Sequence, residues 1–230
     1  EVGKVHAEKQ QGTTKRAIYV VFDNSGSMYG DGNKAWSQAT YAMEVFAAMM
    51  NYESGDVMKV FPMHDITTDG NTGSATKSSM EIRGKDDIAQ IHNMYTPKPG
   101  GTPYTQVNNA AGELTKLLNA GSVDEGWLVV LTDGDFDNDI PASGLKADLE
   151  GKAAANENLY VQYLAIGTDV KNIPEGNADK GLYAQKAGNT SEVVNELAEI
   201  SNRIFKRNEY AGYSSEDSGL ELDIPLRKLI

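Results

Sequence analysis

Asp23, Ser25 and Ser27 stand at alternate positions in the stretch Asp23-Asn24-Ser25-Gly26-Ser27-Met28. One carboxylate and two hydroxyls at that spacing can turn three oxygen groups toward one point, and Gly26 lets the backbone bend between the hydroxyls. A hydroxyl-rich set with little formal charge suits a hard divalent cation such as Mg²⁺, which keeps several of its own waters. The plainer alternative is a strand-to-helix turn whose Asp and Ser side chains bond only to local backbone. Two further oxygen groups stand at Thr102, within Gly100-Gly101-Thr102-Pro103, and at Asp133, within Leu131-Thr132-Asp133-Gly134. Each also has a structural use of its own. Thr102 is a good helix N-cap ahead of a Pro at the first helical position, and Asp133 can open an Asp-Gly turn.

The elements around these residues place them on one edge. Ala17 to Phe22 is an apolar, β-branched and aromatic run that reads as a buried strand ending at Asp23. Gly126 to Thr132 is a second such run, ending at Asp133, and Leu159 to Ile166 a third. Shorter strands are predicted over Asp56 to Phe61, Met80 to Ile82 and Leu182 to Ala184. Between them, apolar residues at three- and four-residue steps predict helices over Lys34 to Met50, Asp86 to Met94, from Thr102 onward, Leu145 to Asn156 and Glu192 to Lys206. Asn189 and Glu192 form a capping box for the last of these; Asn189-Thr190-Ser191 also fits the N-glycosylation pattern, but the cap explains it better. Alternating strands and helices give an α/β fold: a three-layer, doubly wound, mostly parallel central sheet flanked by helices. Ligands of such sheets bind where loops leave the carboxyl ends of the strands. Asp23 and Asp133 sit at that end, and Thr102 opens a helix expected on the same rim. Residues 1–13 read as a polar arm and 14–207 as the domain. Residues 208–230 read as a tail that packs back or begins a following domain.

Composition narrows the function. The 230 residues are 40% apolar and 23% charged, an ordinary globular balance. With 33 acids against 21 bases the formal charge is −12, and no basic cluster interrupts it, which disfavours nucleic acid. Cysteine is absent, which excludes disulfides, thiolate chemistry and Cys-zinc sites. His6, His64 and His92 lack ligand spacing and read as surface or packing residues. No apolar run approaches the roughly 20 residues of a membrane helix, so direct membrane insertion is not expected. The chain begins at Glu1 with no signal-peptide pattern, which points to a processed or trimmed start.

The set Asp23-Asn24-Ser25-Gly26-Ser27, Thr102 and Asp133, in that order, resembles a von Willebrand factor A-type domain with its metal-ion-dependent adhesion site. The Gly-Gly-Thr-Pro lead into Thr102 and the Leu-Thr-Asp-Gly around Asp133 are most similar to bacterial members. The resemblance spans about residues 14–207. It implies a Rossmann-like fold and a Mg²⁺ site, with Mn²⁺ or Ca²⁺ as alternatives. Ser25, Ser27 and Thr102 would touch the metal, while Asp23 and Asp133 act directly or through water. It implies a non-enzymatic adhesion module in which a partner protein supplies a Glu or Asp to the open metal position. Tyr29, Tyr104 and Phe136 flank the loops and either form an apolar rim for that partner or pack, as loop aromatics, on their neighbours. The implied location is extracellular or at a cell surface, with a cytoplasmic scaffold serving an AAA+ ATPase as the alternative.

Three other chemistries compete. A haloacid-dehalogenase-type phosphatase also places an Asp after its first strand, and Gly134-Asp135-Phe136-Asp137-Asn138-Asp139 fits the spacing of its metal motif. Its second Asp, the acid and base, is replaced here by Ser25, which cannot take that role near neutral pH. A serine hydrolase lacks both its Gly-x-Ser-x-Gly elbow and a placed His. The alternating Asp133, Asp135, Asp137 and Asp139 lack the Gly and Glu of an EF-hand, and read as a solvated acidic patch able to host a second, weaker cation.

Overall fold

The computed structural model describes residues 14–67, 75–96, 100–134, 136, 139–167, 170 and 172–205. The N-terminal arm and the tail from residue 208 lie outside the described residues.

The apolar runs become the middle of the sheet. β1 (Arg16–Phe22) and β4 (Glu125–Thr132) are buried at every position, and β5 (Leu159–Ile166) at all but one. Strands covered on both faces need no polar alternation. β2 (Val57–Pro62) and β6 (Leu182–Ala187) lie outside them, and β3 (Met80–Ile82) is an antiparallel edge strand. The six strands run in the order β3-β2-β1-β4-β5-β6, with all pairs parallel except β2–β3.

Side chains alternate between two cores. Ile18, Val20 and Phe22 join α1 (Gly30–Met49), α2 (Lys85–His92) and α5 (Thr190–Phe205) on one face. Ala17, Tyr19 and Val21 join α3 (Thr105–Asn119) and α4 (Ala142–Ala153) on the other. This is the predicted three-layer α/β architecture.

Several boundaries differ from the sequence expectation, each for a local reason. α1 begins at Gly30, one turn ahead of Lys34, where polar and glycine residues carry no apolar period. β6 runs on to Ala187 because Gln185, Lys186 and Ala187 pair with Leu164, Ala165 and Ile166 of β5. α3 begins at Thr105, with Tyr104 in the cap position, so Thr102 is not its N-cap. The Tyr104 N–H instead donates to the Asp139 carboxylate at 2.8 Å, which holds Gly101 to Tyr104 as a loop. At α5 half of the predicted box forms: the Glu192 N–H donates to Asn189 Oδ1 at 2.9 Å, whereas the Glu192 carboxylate accepts from the N–H of Gly188, one residue ahead of Asn189.

β1 pairs with β2 on one side and β4 on the other, so the strand order reverses between β1 and β4. That is the switch point at which an open α/β sheet leaves a crevice at its carboxyl edge. The register pairs Phe22 with Leu131, and the Asp23 N–H donates to the Leu131 carbonyl at 2.8 Å. The loops after β1 and β4 therefore leave the sheet side by side.

Candidate metal centre

Asp23 is fully buried, and both of its oxygens are engaged by the protein. Oδ1 accepts from the Ser25 N–H at 2.8 Å, and Oδ2 accepts from the Thr132 hydroxyl at 2.8 Å. The carboxylate is thereby fixed in orientation. From Ser25 a line of hydroxyls leads to the second acid. Ser27 Oγ donates to Asp133 Oδ1 at 3.0 Å, and Ser25 Oγ lies 3.1 Å from Ser27 Oγ. Because the single Ser27 proton points to Asp133, Ser25 is the donor in the second contact. Gly26 starts a 3-10 turn (Gly26–Tyr29) with φ outside the left-handed region, and a Cβ there would meet nothing within 4 Å. The expected use of its conformational freedom is thus not made here.

The two carboxylates act on each other. Burial, and then the negative charge of Asp23, push the Asp133 carboxyl up from 3.8 to about 6, against the lowering effect of the Ser27 hydrogen bond. No Lys or Arg among the described residues is ion-paired with either acid. Two neighbouring carboxylates with aligned hydroxyls and no counter-cation fit a divalent ion. No group of three or more His, Cys, Asp or Glu among the described residues is placed to hold a metal. The donor set is thus mainly hydroxyl, which suits a hard cation that retains water.

Thr102 is buried, in the loop that approaches from the other side. The Gly26 N–H donates to the Gly100 carbonyl at 3.3 Å, which sets the two loops against one another. Beside Ser27 and Asp133 opens a cleft of about 510 Å³, walled by Lys34 and Gln38 of α1 and by Gly167 and Gly188 at the ends of β5 and β6.

The expected aromatic rim is not built as predicted. Tyr104 and Phe136 are 4% and 2% exposed, and their rings meet edge-on at 4.7 Å inside the core under α3 and α4. The Tyr104 hydroxyl donates to Asp148. Tyr29 is half-buried against Trp36, at 5.2 Å between ring centroids, and its hydroxyl is 3.0 Å from Thr96 Oγ1. Loop aromatics at a sheet edge are drawn into the nearest core, which removes them from a contact surface. Of the acidic run, Asp135 and Asp137 lie outside the described residues, and Asp139 is bound to the Tyr104 N–H.

Sequence reasoning missed Thr132, Asn24, His64 and Thr96. Thr132 carried a signal: a hydroxyl at the last position of a buried strand, next to an acid. The others gave none, because their contacts span 40 and 72 residues.

The sheet order and the helices on both faces define a von Willebrand factor A-like fold. No protein-family model matches the chain, and no curated protein matches it in sequence. Among solved structures, the pilus adhesin SpaC of Lactobacillus rhamnosus GG is 18% identical at a TM-score of 0.52, over 86% of this chain and 31% of the adhesin. The open conformation of SpaC gives 16% identity and a TM-score of 0.50 over the same shares, 86% and 31%. Proximal thread matrix protein 1 of the mussel byssus, in a structure with a zinc-occupied MIDAS motif, gives 15% identity and a TM-score of 0.49 over 84% of this chain and 45% of that one. The chain thus spans about a third of the length of the pilus adhesin, 31%. No helix among the described residues is long and apolar enough to cross a membrane.

Proposed function

We propose that this chain is a non-enzymatic, metal-dependent protein-binding module. Asp23, Ser25, Ser27, Thr102 and Asp133 would hold one divalent cation, Mg²⁺ or Mn²⁺. When bound, the cation supplies an electrophilic position that an Asp or Glu of a partner protein completes. The observation that carries the proposal is the pair of interacting carboxylates at the strand-order switch point, with two serine hydroxyls lined up on Asp133 and no cationic side chain among the described residues ion-paired with either acid. Both oxygens of Asp23 are hydrogen-bonded, by its own loop and by Thr132, which fixes the orientation of the carboxylate toward the ion. The phosphatase alternative is disfavoured because Ser25 stands where it needs a second Asp as acid and base. The cleft beside Ser27 and Asp133 would take the partner residues that flank the bridging acid. The pilus-adhesin likeness of the fold agrees with a place outside the cell or on its surface, and that location is part of the proposal.

The test is water-proton relaxation of Mn²⁺ with this protein, followed by titration with glutarate as a stand-in for the partner acid. Relaxation enhancement on binding, then a decrease as glutarate displaces metal-bound water, is the expected result. Hydrolysis of an aryl phosphate that is lost in Asp23→Asn would overturn the proposal in favour of the phosphatase.

A further inference from the structure

Asn24 is fully buried between two of the residues proposed to serve the metal, yet its side chain points away from them. Its Oδ1 accepts from the His64 N–H at 2.9 Å, and its Nδ2 donates to the His64 carbonyl at 2.7 Å and to Thr96 Oγ1 at 2.9 Å. The pairing of β1 with β2 ends one step earlier, where the Met63 N–H donates to the Phe22 carbonyl at 3.1 Å. The Asn24 amide therefore continues the ladder, bonding the next residue of the neighbouring segment at two points. His64 then reaches onward. Its ring Nε2 contacts the Gly101 carbonyl, and because a carbonyl only accepts, Nε2 carries the proton. A Cβ on Gly100 would lie 3.2 Å from His64 Cε1, so a glycine at 100 gives the ring its close seat. Thr96, held also by the Tyr29 hydroxyl at 3.0 Å, stands at the head of the segment that leads into this loop.

We infer that Asn24 and His64 are positioning residues that set the separation between Ser25 and Ser27 on one side and Thr102 on the other. Neither touches the proposed ion. Asn24 fixes His64, His64 fixes Gly101, and Gly101 adjoins Thr102. The brace rests on the metal-binding proposal for its functional meaning, but the link between the loops stands in the metal-free protein as well. A buried amide with both its N–H donors and its oxygen bonded holds one geometry, since each alternative leaves a polar atom unbonded. Outer partners of this kind change metal affinity without binding metal.

The experiment measures Mn²⁺ affinity for wild type, Asn24→Ala, His64→Leu, His64→Gln and, as a control, Leu149→Ala in the opposite core. Hydrogen exchange of the Gly26 amide in EDTA is followed on the same proteins. Asn24→Ala and His64→Leu are expected to weaken Mn²⁺ binding about 10- to 100-fold. His64→Gln, which keeps a side-chain donor, recovers most of that loss. Leu149→Ala lowers stability and leaves affinity unchanged. In EDTA, the Gly26 amide exchanges faster in Asn24→Ala and His64→Leu while β1 amides keep their protection. Wild-type affinity in both variants, or Gly26 protection equal to wild type, overturns the inference. Faster Gly26 exchange with no Mn²⁺ binding in wild type leaves the brace standing and removes the metal proposal.

Discussion

Asp133→Asn should stabilise the metal-free domain, although Asp133 is proposed to serve the metal. The carboxyl sits at about 6 instead of 3.8 because of burial and the Asp23 charge, so its ionisation is unfavourable in the folded state. Two pKa units correspond to about 3 kcal/mol, and solvent screening of a half-buried group reduces this to about 1–2 kcal/mol. A folded pKa above the unfolded one contributes stability below about pH 4, lost as the pH rises through about 6. At pH 7.5 the penalty is therefore present in full, and Asn removes it while still offering Oδ1 to the Ser27 hydroxyl. At about 2–4 °C per kcal/mol for a domain of this size, Tm in EDTA should rise by roughly 2–8 °C. The difference between wild type and variant should vanish near pH 4. Excess Mn²⁺ should reverse the order at pH 7.5, since saturation about 100-fold above Kd adds ~2.7 kcal/mol to whichever form binds. Thermal unfolding by circular dichroism in EDTA and in Mn²⁺, at both pH values, reads all of this. A Tm for Asp133→Asn below wild type in EDTA at pH 7.5, or an equal Mn²⁺ gain in both proteins, would refute the reasoning.

Two further substitutions separate the roles of neighbouring residues. Thr132→Val keeps the shape but takes the hydroxyl from Asp23 Oδ2; it should cost about 1–3 kcal/mol in urea unfolding and also weaken Mn²⁺ binding, because the acid loses its fixed orientation. Tyr104→Phe removes the bond to Asp148 and should cost about 1 kcal/mol in urea unfolding while leaving Mn²⁺ affinity unchanged; the loss of stability marks a core residue, since an exposed contact residue would show none.

Much of this fold was legible because its central strands are apolar on both faces. Leu159 to Ile166 has the same limits in the sequence reading and the structure, and Asp23 and Asp133 follow strands whose ends were plain. What failed was set by contacts distant in sequence. The Thr-Pro pair at 102–103 satisfies every local rule for a helix start, yet Asp139 holds the Tyr104 N–H and the helix waits until Thr105. Tyr104 and Phe136 look like loop aromatics until α3 and α4 are in place, and then each completes the other's packing. Asn24 reads as a turn residue among Asp, Ser and Gly. Its three partners on His64 and Thr96 exist only once β1 and β2 are paired.

The most direct measurement is calorimetric titration of Mg²⁺ and Mn²⁺ into wild type and Asp23→Ala, with the fold of each monitored by circular dichroism. The expected result is one site in wild type, of weak to moderate affinity, that disappears in Asp23→Ala while the fold remains. No heat of binding in wild type, or the same isotherm in a folded Asp23→Ala, would contradict the assignment of a metal to these loops.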